Sequence, residues 1–149
     1  MKYQLVLTIL ATSISTTAYS VDINQGSICR DKTCYEHQVI IDTQLFLSKP
    51  KWTDTSVSPP LSVSQASVIA KKYALNIFSK RPHQPKIEKI ELRRYAFSNS
   101  QGENGPDFSD NWYYLVSFGL PIGADILPLN WVVILMDGSV VPPDVKRVK

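Results

Sequence analysis

Few side chains in this sequence have the type and spacing that chemistry requires. General acid–base work near neutral pH falls first to histidine, and the chain has two. His37 stands where a strand is expected to open, and His83 lies between Pro82 and Gln84. Neither has a nucleophile or a carboxylate at a productive spacing, so both read as surface residues. Glu103, Asp107 and Asp110 gather in one polar stretch. Calcium is the ligand such acids raise, yet the alternating Asp/Asn positions and closing Glu of a calcium loop are missing, and the stretch reads as a solvated hairpin loop. No phosphate-binding glycine loop, nucleophile elbow or paired zinc histidines are present. The residues point away from an enzyme and imply neither a cofactor nor a metal.

Cys29 and Cys34 are the only cysteines. A C-x4-C spacing in a polar context differs from the C-x-x-C of redox pairs at helix N-termini. A metal site needs further ligands, and His37 is the only obvious third. The expected outcome is a structural disulfide acting as a local clasp, worth less than the ~3 kcal/mol of a 15-residue loop.

That disulfide needs an oxidising compartment, and the N-terminus supplies a route to one. Lys2 gives a positive start, residues 5–11 form a short apolar run, and Ala18-Tyr19-Ser20 places small residues one and three positions before a cut after Ser20. This is the layout of a secretory signal, and its apolar core is far short of the ~20 residues of a membrane span. The expectation is therefore a signal peptide over 1–20 and a single globular domain over 21–149, periplasmic or secreted. The formal net charge of +3 falls to +2 once Lys2 leaves with the signal. So mild a balance gives no reason to expect nucleic acid, and the basic Lys146-Arg147-Val148-Lys149 reads as a solvated tail.

The elements that must position these residues follow from periodicity. Residues 37–47 are apolar and β-branched without Gly or Pro, as in a strand. Residues 51–60 form a loop with Trp52 as a lid on the core. Ser62 and Gln65 make a capping-box pattern, and Ala66, Ile69, Ala70, Tyr73, Ala74, Ile77 and Phe78 recur at helical spacing, predicting an amphipathic helix over 63–79. A charged strand over 87–97, a polar loop over 98–111 and a strand over 112–118 with aromatics on both faces come next. Residues 131–136 and 139–141 flank Asp137-Gly138 as a tight hairpin. The predicted class is α+β, with one amphipathic helix packed on an antiparallel sheet in the order β-α-β-β-β(-β).

Over residues 61–142 this pattern resembles the PepSY-like group of small exported domains, in the Ser-x-x-Gln-Ala helix opening, the Trp112-Tyr113-Tyr114-Leu115-Val116 strand and the closing Asp-Gly-Ser-Val-Val. The element order also looks like the cystatin topology, and Gln101-Gly102-Glu103-Asn104-Gly105 has the outer Gln and Gly of that family's loop, with an acid in place of its apolar residue. No inhibitory residues are carried over. Either resemblance implies a binding or inhibitory module.

One segment resists a purely structural account. Residues 119–129 read as a loop, yet include Leu120, Ile122, Ile126, Leu127 and Leu129. Such a loop either closes the core or offers an apolar patch. Leu120, Ile122, Ile126 and Leu127, with Glu103, Asp107 and Asp110 at the opposite end, are the candidate partner-binding residues. The expected function is non-catalytic masking of a protein partner, either an exported hydrolase or a toxin. The alternative is a small-ligand carrier or enzyme with a pocket between helix and sheet, lined by Tyr73, Tyr114 and Trp131.

Overall fold

A computed structural model describes residues 20–30, 33–79, 85–95, 106–119 and 130–148. Strands β1 (Ser20–Arg30) and β2 (Thr33–Asp42) pair as an antiparallel hairpin. Val21, Ile23, Val39 and Ile41 are buried, whereas Asp22, Ile40 and Asp42 are exposed. This is the period of two expected for a sheet with one wet face. The strand expected over 37–47 thus begins earlier and stops sooner. Asp42 stops it: its carboxylate accepts the Leu45 N–H at 2.9 Å and caps a short helix, α1 (Thr43–Leu47). An Asp carboxylate satisfies the orphan N–H groups of a first turn, and the turn directs Phe46 into the core.

Helix α2 (Val63–Ile77) starts where the capping box predicts, with the Ser62 and Gln65 side chains each accepting the other's backbone N–H. Its fully buried residues are Ala66, Ala70 and Ala74. Small side chains at that spacing let the helix axis lie close to the sheet below.

That sheet contains β3 (Lys86–Arg94), β4 (Trp112–Gly119), β5 (Trp131–Leu135) and β6 (Val140–Val141), antiparallel and in that order. The turn between β5 and β6 is the predicted Asp-Gly, with Gly138 at φ 85°, a conformation open to glycine at little cost. Pro142 and Pro143 do not end the structure. They lead into β7 (Asp144–Val148), which pairs antiparallel with β2 over Cys34–Gln38. The basic segment expected to be a free tail is therefore largely an edge strand, and there are two sheets, β1-β2-β7 and β3-β4-β5-β6, where one was expected.

The result is three layers. Tyr114, Val116, Phe118, Val132, Ile134 and Met136 face α2. The alternate residues Tyr113, Leu115, Trp131, Val133 and Leu135 face Val21, Ile23, Val39, Ile41 and Phe46 of the first sheet and α1. Because β4 and β5 are covered on both sides, every residue of β5 is buried, as the continuous apolar run of a central strand requires. The class remains α+β, with one main helix on an antiparallel sheet. The extra layer is built from the two ends of the described chain.

Candidate partner-facing site

Strand β4 is eight residues long and about 25 Å from end to end, so its two ends are separate places. At the Trp112 end three segments converge: the loop after α1, the end of β3 and the approach to β4. Trp52 and Trp112 meet edge to face, with ring centroids 4.9 Å apart at 61°, the arrangement favoured by the aromatic quadrupole. Neither indole N–H is spare. Trp112 Nε1 donates to the Trp52 carbonyl and Trp52 Nε1 to the Val57 carbonyl, each at 3.1 Å. The Trp52 backbone N–H donates to the Asp110 carbonyl at 3.0 Å. Both half-buried rings are thus held by backbone groups.

Arg94 extends over Trp112, its guanidinium carbon 5.9 Å from the ring centroid, near the ~6 Å reach of a cation–π contact. Its Nε donates to the Ser109 carbonyl, and its terminal nitrogen lies 4.0 Å from the Asp110 carboxylate. Asp107 accepts the Ser109 N–H at 2.8 Å. The Ser109 N–H and hydroxyl, with smaller help from Lys51 and Arg94, hold the Asp107 carboxyl below the usual carboxylate range. Both sides of the loop therefore carry charge, and the acids are balanced locally by Arg94 and Lys51.

The loop expected to be wholly solvated is anchored. Phe108 is buried against Phe46, with centroids 5.9 Å apart, and Asn111 Nδ2 donates to the Phe46 carbonyl at 2.9 Å. An aromatic and an amide therefore fix residues 106–111 to the core, so Asp107 and Asp110 stand on a rigid base. Glu103, Leu120, Ile122, Ile126 and Leu127 lie outside the described residues, as does His83. Gly119 and Asn130 bracket the apolar segment at the far end of β4, so its attachment points and the acidic loop are at opposite ends. Trp52 was expected as a lid, and it does lie over Trp112, which packs on the α2-side core. Its union with Arg94 escaped the sequence reading. The available signal was a Trp or an Arg at each of three loop edges.

Cys29 and Cys34 are disulfide-bonded and face each other as a cross-strand pair near the tip of the β1–β2 hairpin. The clasp therefore closes a hairpin and does not precede the first strand. His37 is not a surface residue. It points inward from β2, 8% exposed, with its ring 5.2 Å from that of Trp131. Its Nδ1 has no hydrogen-bond partner among the described residues, and burial pulls its pKa down. A cavity of about 320 Å³ beside it is lined by Glu36, Gln38, Asp144 and Lys146 among others. Adjacent residues of a strand face opposite sides, so Glu36 and His37 cannot converge on one ligand, and no three metal-ligating side chains cluster among the described residues. The pocket expected from Tyr73, Tyr114 and Trp131 is also not formed, because Tyr114 faces α2 and Trp131 faces the first sheet.

No protein-family model, curated protein or solved structure matches the chain.

Proposed function

We propose that this protein is a non-catalytic exported binding module that masks a protein partner, as an inhibitor of an exported hydrolase or as an immunity protein against a toxin. The observation carrying this reading is the Trp52–Trp112–Arg94 platform beside Asp107 and Asp110. Trp and Arg supply a disproportionate share of interface hot spots. Rings already fixed by backbone hydrogen bonds lose little further freedom when a partner covers them. The mixed charges around the platform suit a polar rim that sets register. The disulfide and the signal-like N-terminus support a periplasmic or secreted location. The resemblance to PepSY-like and cystatin-like domains implies the same type of module.

The test is co-purification from periplasmic extract, followed by reconstitution with the identified partner. The expected result is a stoichiometric complex in which the partner's hydrolytic or toxic activity is lost, and whose affinity falls by more than about tenfold in Trp52→Ala plus Arg94→Ala. Circular dichroism checks that the variant folds. Undiminished binding by that variant, with binding lost in Ile122→Asp plus Ile126→Asp, moves the interface to the apolar segment. A partner whose activity is unchanged in the complex overturns the masking role.

A further inference from the structure

Of the seven large apolar side chains exposed among the described residues, four belong to α2. Val63 and Ile77 are its first and last residues, where a helix end leaves side chains open. Val68 and Leu75 lie within its body, 66% and 48% exposed. At about 100° and about 1.5 Å per residue, they stand about 20° apart around the helix and about 10 Å apart along it. They point away from the buried Ala66, Ala70 and Ala74, which face the sheet. Lys71 and Lys72 fall between them, about 60° to one side of Val68 and about 40° to the other. The outer ridge of α2 is therefore two aliphatic side chains with a lysine on each flank. Both lysines are exposed, and neither forms an ion pair among the described residues.

The charge around this ridge is one-sided. Between Asp54 and Glu88 the sequence holds Lys71, Lys72, Lys80, Arg81 and Lys86 and no acid. The formal net charge of the whole chain is +3, so the residues outside that stretch total −2. A mild overall balance thus conceals a segregated one, and the partner of the ridge is an anion. Three classes of macromolecule offer one. Protein hot spots are built from Trp, Tyr and Arg, with Leu and Val under-represented, and the ridge has no aromatic and no Arg. A single-stranded nucleic acid would need aromatic rings to stack on, and the phosphates of a duplex give Val68 and Leu75 nothing to contact. A bilayer of anionic phospholipid meets both halves of the pattern. Aliphatic side chains enter the headgroup boundary while lysine stems keep their ammonium groups among the phosphates. A fluid surface also receives a convex helix without a preformed groove.

We infer that the outer ridge of α2 docks the protein reversibly on an anionic phospholipid surface, with Val68 and Leu75 entering the headgroup region and Lys71 and Lys72 pairing with lipid phosphates. The ridge shares no residue with the tryptophan platform, so this docking stands apart from the masking role.

The test uses the chain from Val21 onward, which keeps every described helix and strand except Ser20 and lacks the signal-like segment with its own membrane affinity. In co-sedimentation it should bind vesicles of phosphatidylglycerol and phosphatidylcholine, half-bound at about 0.1–1 mM lipid. Vesicles of phosphatidylcholine alone should bind at least about tenfold more weakly, and about 0.5 M NaCl should weaken the anionic vesicles similarly. Lys71→Gln plus Lys72→Gln should cost about tenfold, and so should Val68→Gln plus Leu75→Gln, which leaves every charge in place. All four positions are exposed, and circular dichroism confirms folding. Nitroxide-labelled headgroups should broaden the amides of residues 64–76 first. Trp52→Ala plus Arg94→Ala should leave vesicle binding unchanged, which separates the ridge from the partner surface. No binding at millimolar lipid, equal binding of neutral vesicles, full retention in either α2 variant or broadening centred elsewhere would each overturn the inference. Binding of duplex DNA or polyglutamate as tightly as the anionic vesicles would overturn it too, by reducing the ridge to a patch of charge.

Discussion

Gly26 and His37 stand opposite each other across β1 and β2, and the space between them is already taken. A Cβ on Gly26 would come 2.6 Å from His37 Nε2, and the imidazole is also packed on Trp131, leaving it little room to yield. Gly26→Ala should therefore cost about 1–3 kcal/mol in urea unfolding. Adding His37→Ala should recover part of that cost, as a coupling of about 1 kcal/mol in the double-mutant cycle. The same burial sets a pH dependence. His37 has its pKa lowered from the ordinary 6.5, so the unfolded chain takes up the proton first on acidification. Stability is full above about 6.5 and is lost as pH falls through that value. The urea midpoint should drop between about pH 7.5 and about pH 5.5, and His37→Gln should flatten the drop; an unchanged slope would place the titration elsewhere. Period-two counting from Val39 and Ile41 already puts His37 on the inward face, a signal outweighed by the usual exposure of a polar side chain.

Among the elements, α2 was legible because its start and its buried face are both local properties. Ser62→Ala removes the cap and should cost about 1 kcal/mol. Ala70→Leu adds bulk where the helix lies closest to the sheet and should cost about 1–3 kcal/mol, whereas the same change at exposed Lys71 should be nearly neutral. Thermal unfolding of the three variants checks the ranking. Strands β1 and β7 were missed for a common reason. Asn24-Gln25-Gly26-Ser27 and Asp144-Val145-Lys146-Arg147 lack the apolar alternation of a strand, and both owe their form to backbone pairing with β2. Edge strands are commonly polar or charged, so their sequences look like loops until a partner is in place. The disulfide was legible from spacing and expected compartment. Its position across an already paired hairpin predicts that Cys29→Ser plus Cys34→Ser loses about 2 kcal/mol or less and retains the fold.

At the scale of the molecule, β4 and β5 serve two cores at once. Alternate residues of one strand form the floor of the α2 side and of the first-sheet side, so neither layer can leave without exposing strands on which the other depends. The sequence carried this in the aromatics on both faces of β4 and the unbroken apolar run of β5, but gave no local sign of what covered the second face. The platform of Trp52, Trp112 and Arg94 was illegible for the same reason, since it exists only where three sequence-distant edges meet. Shared floors imply one cooperative unfolding transition. Trp131 reports the first-sheet core and Trp112 packs on the α2 side, which makes the claim measurable. Trp52→Phe plus Trp112→Phe leaves Trp131 as the only tryptophan, and Trp52→Phe plus Trp131→Phe leaves Trp112. Within each variant, urea transitions followed by fluorescence and by far-ultraviolet circular dichroism should coincide. An earlier fluorescence transition for Trp131 alone would mean that β1-β2-β7 detaches while α2 and its sheet persist, making the two cores separable units.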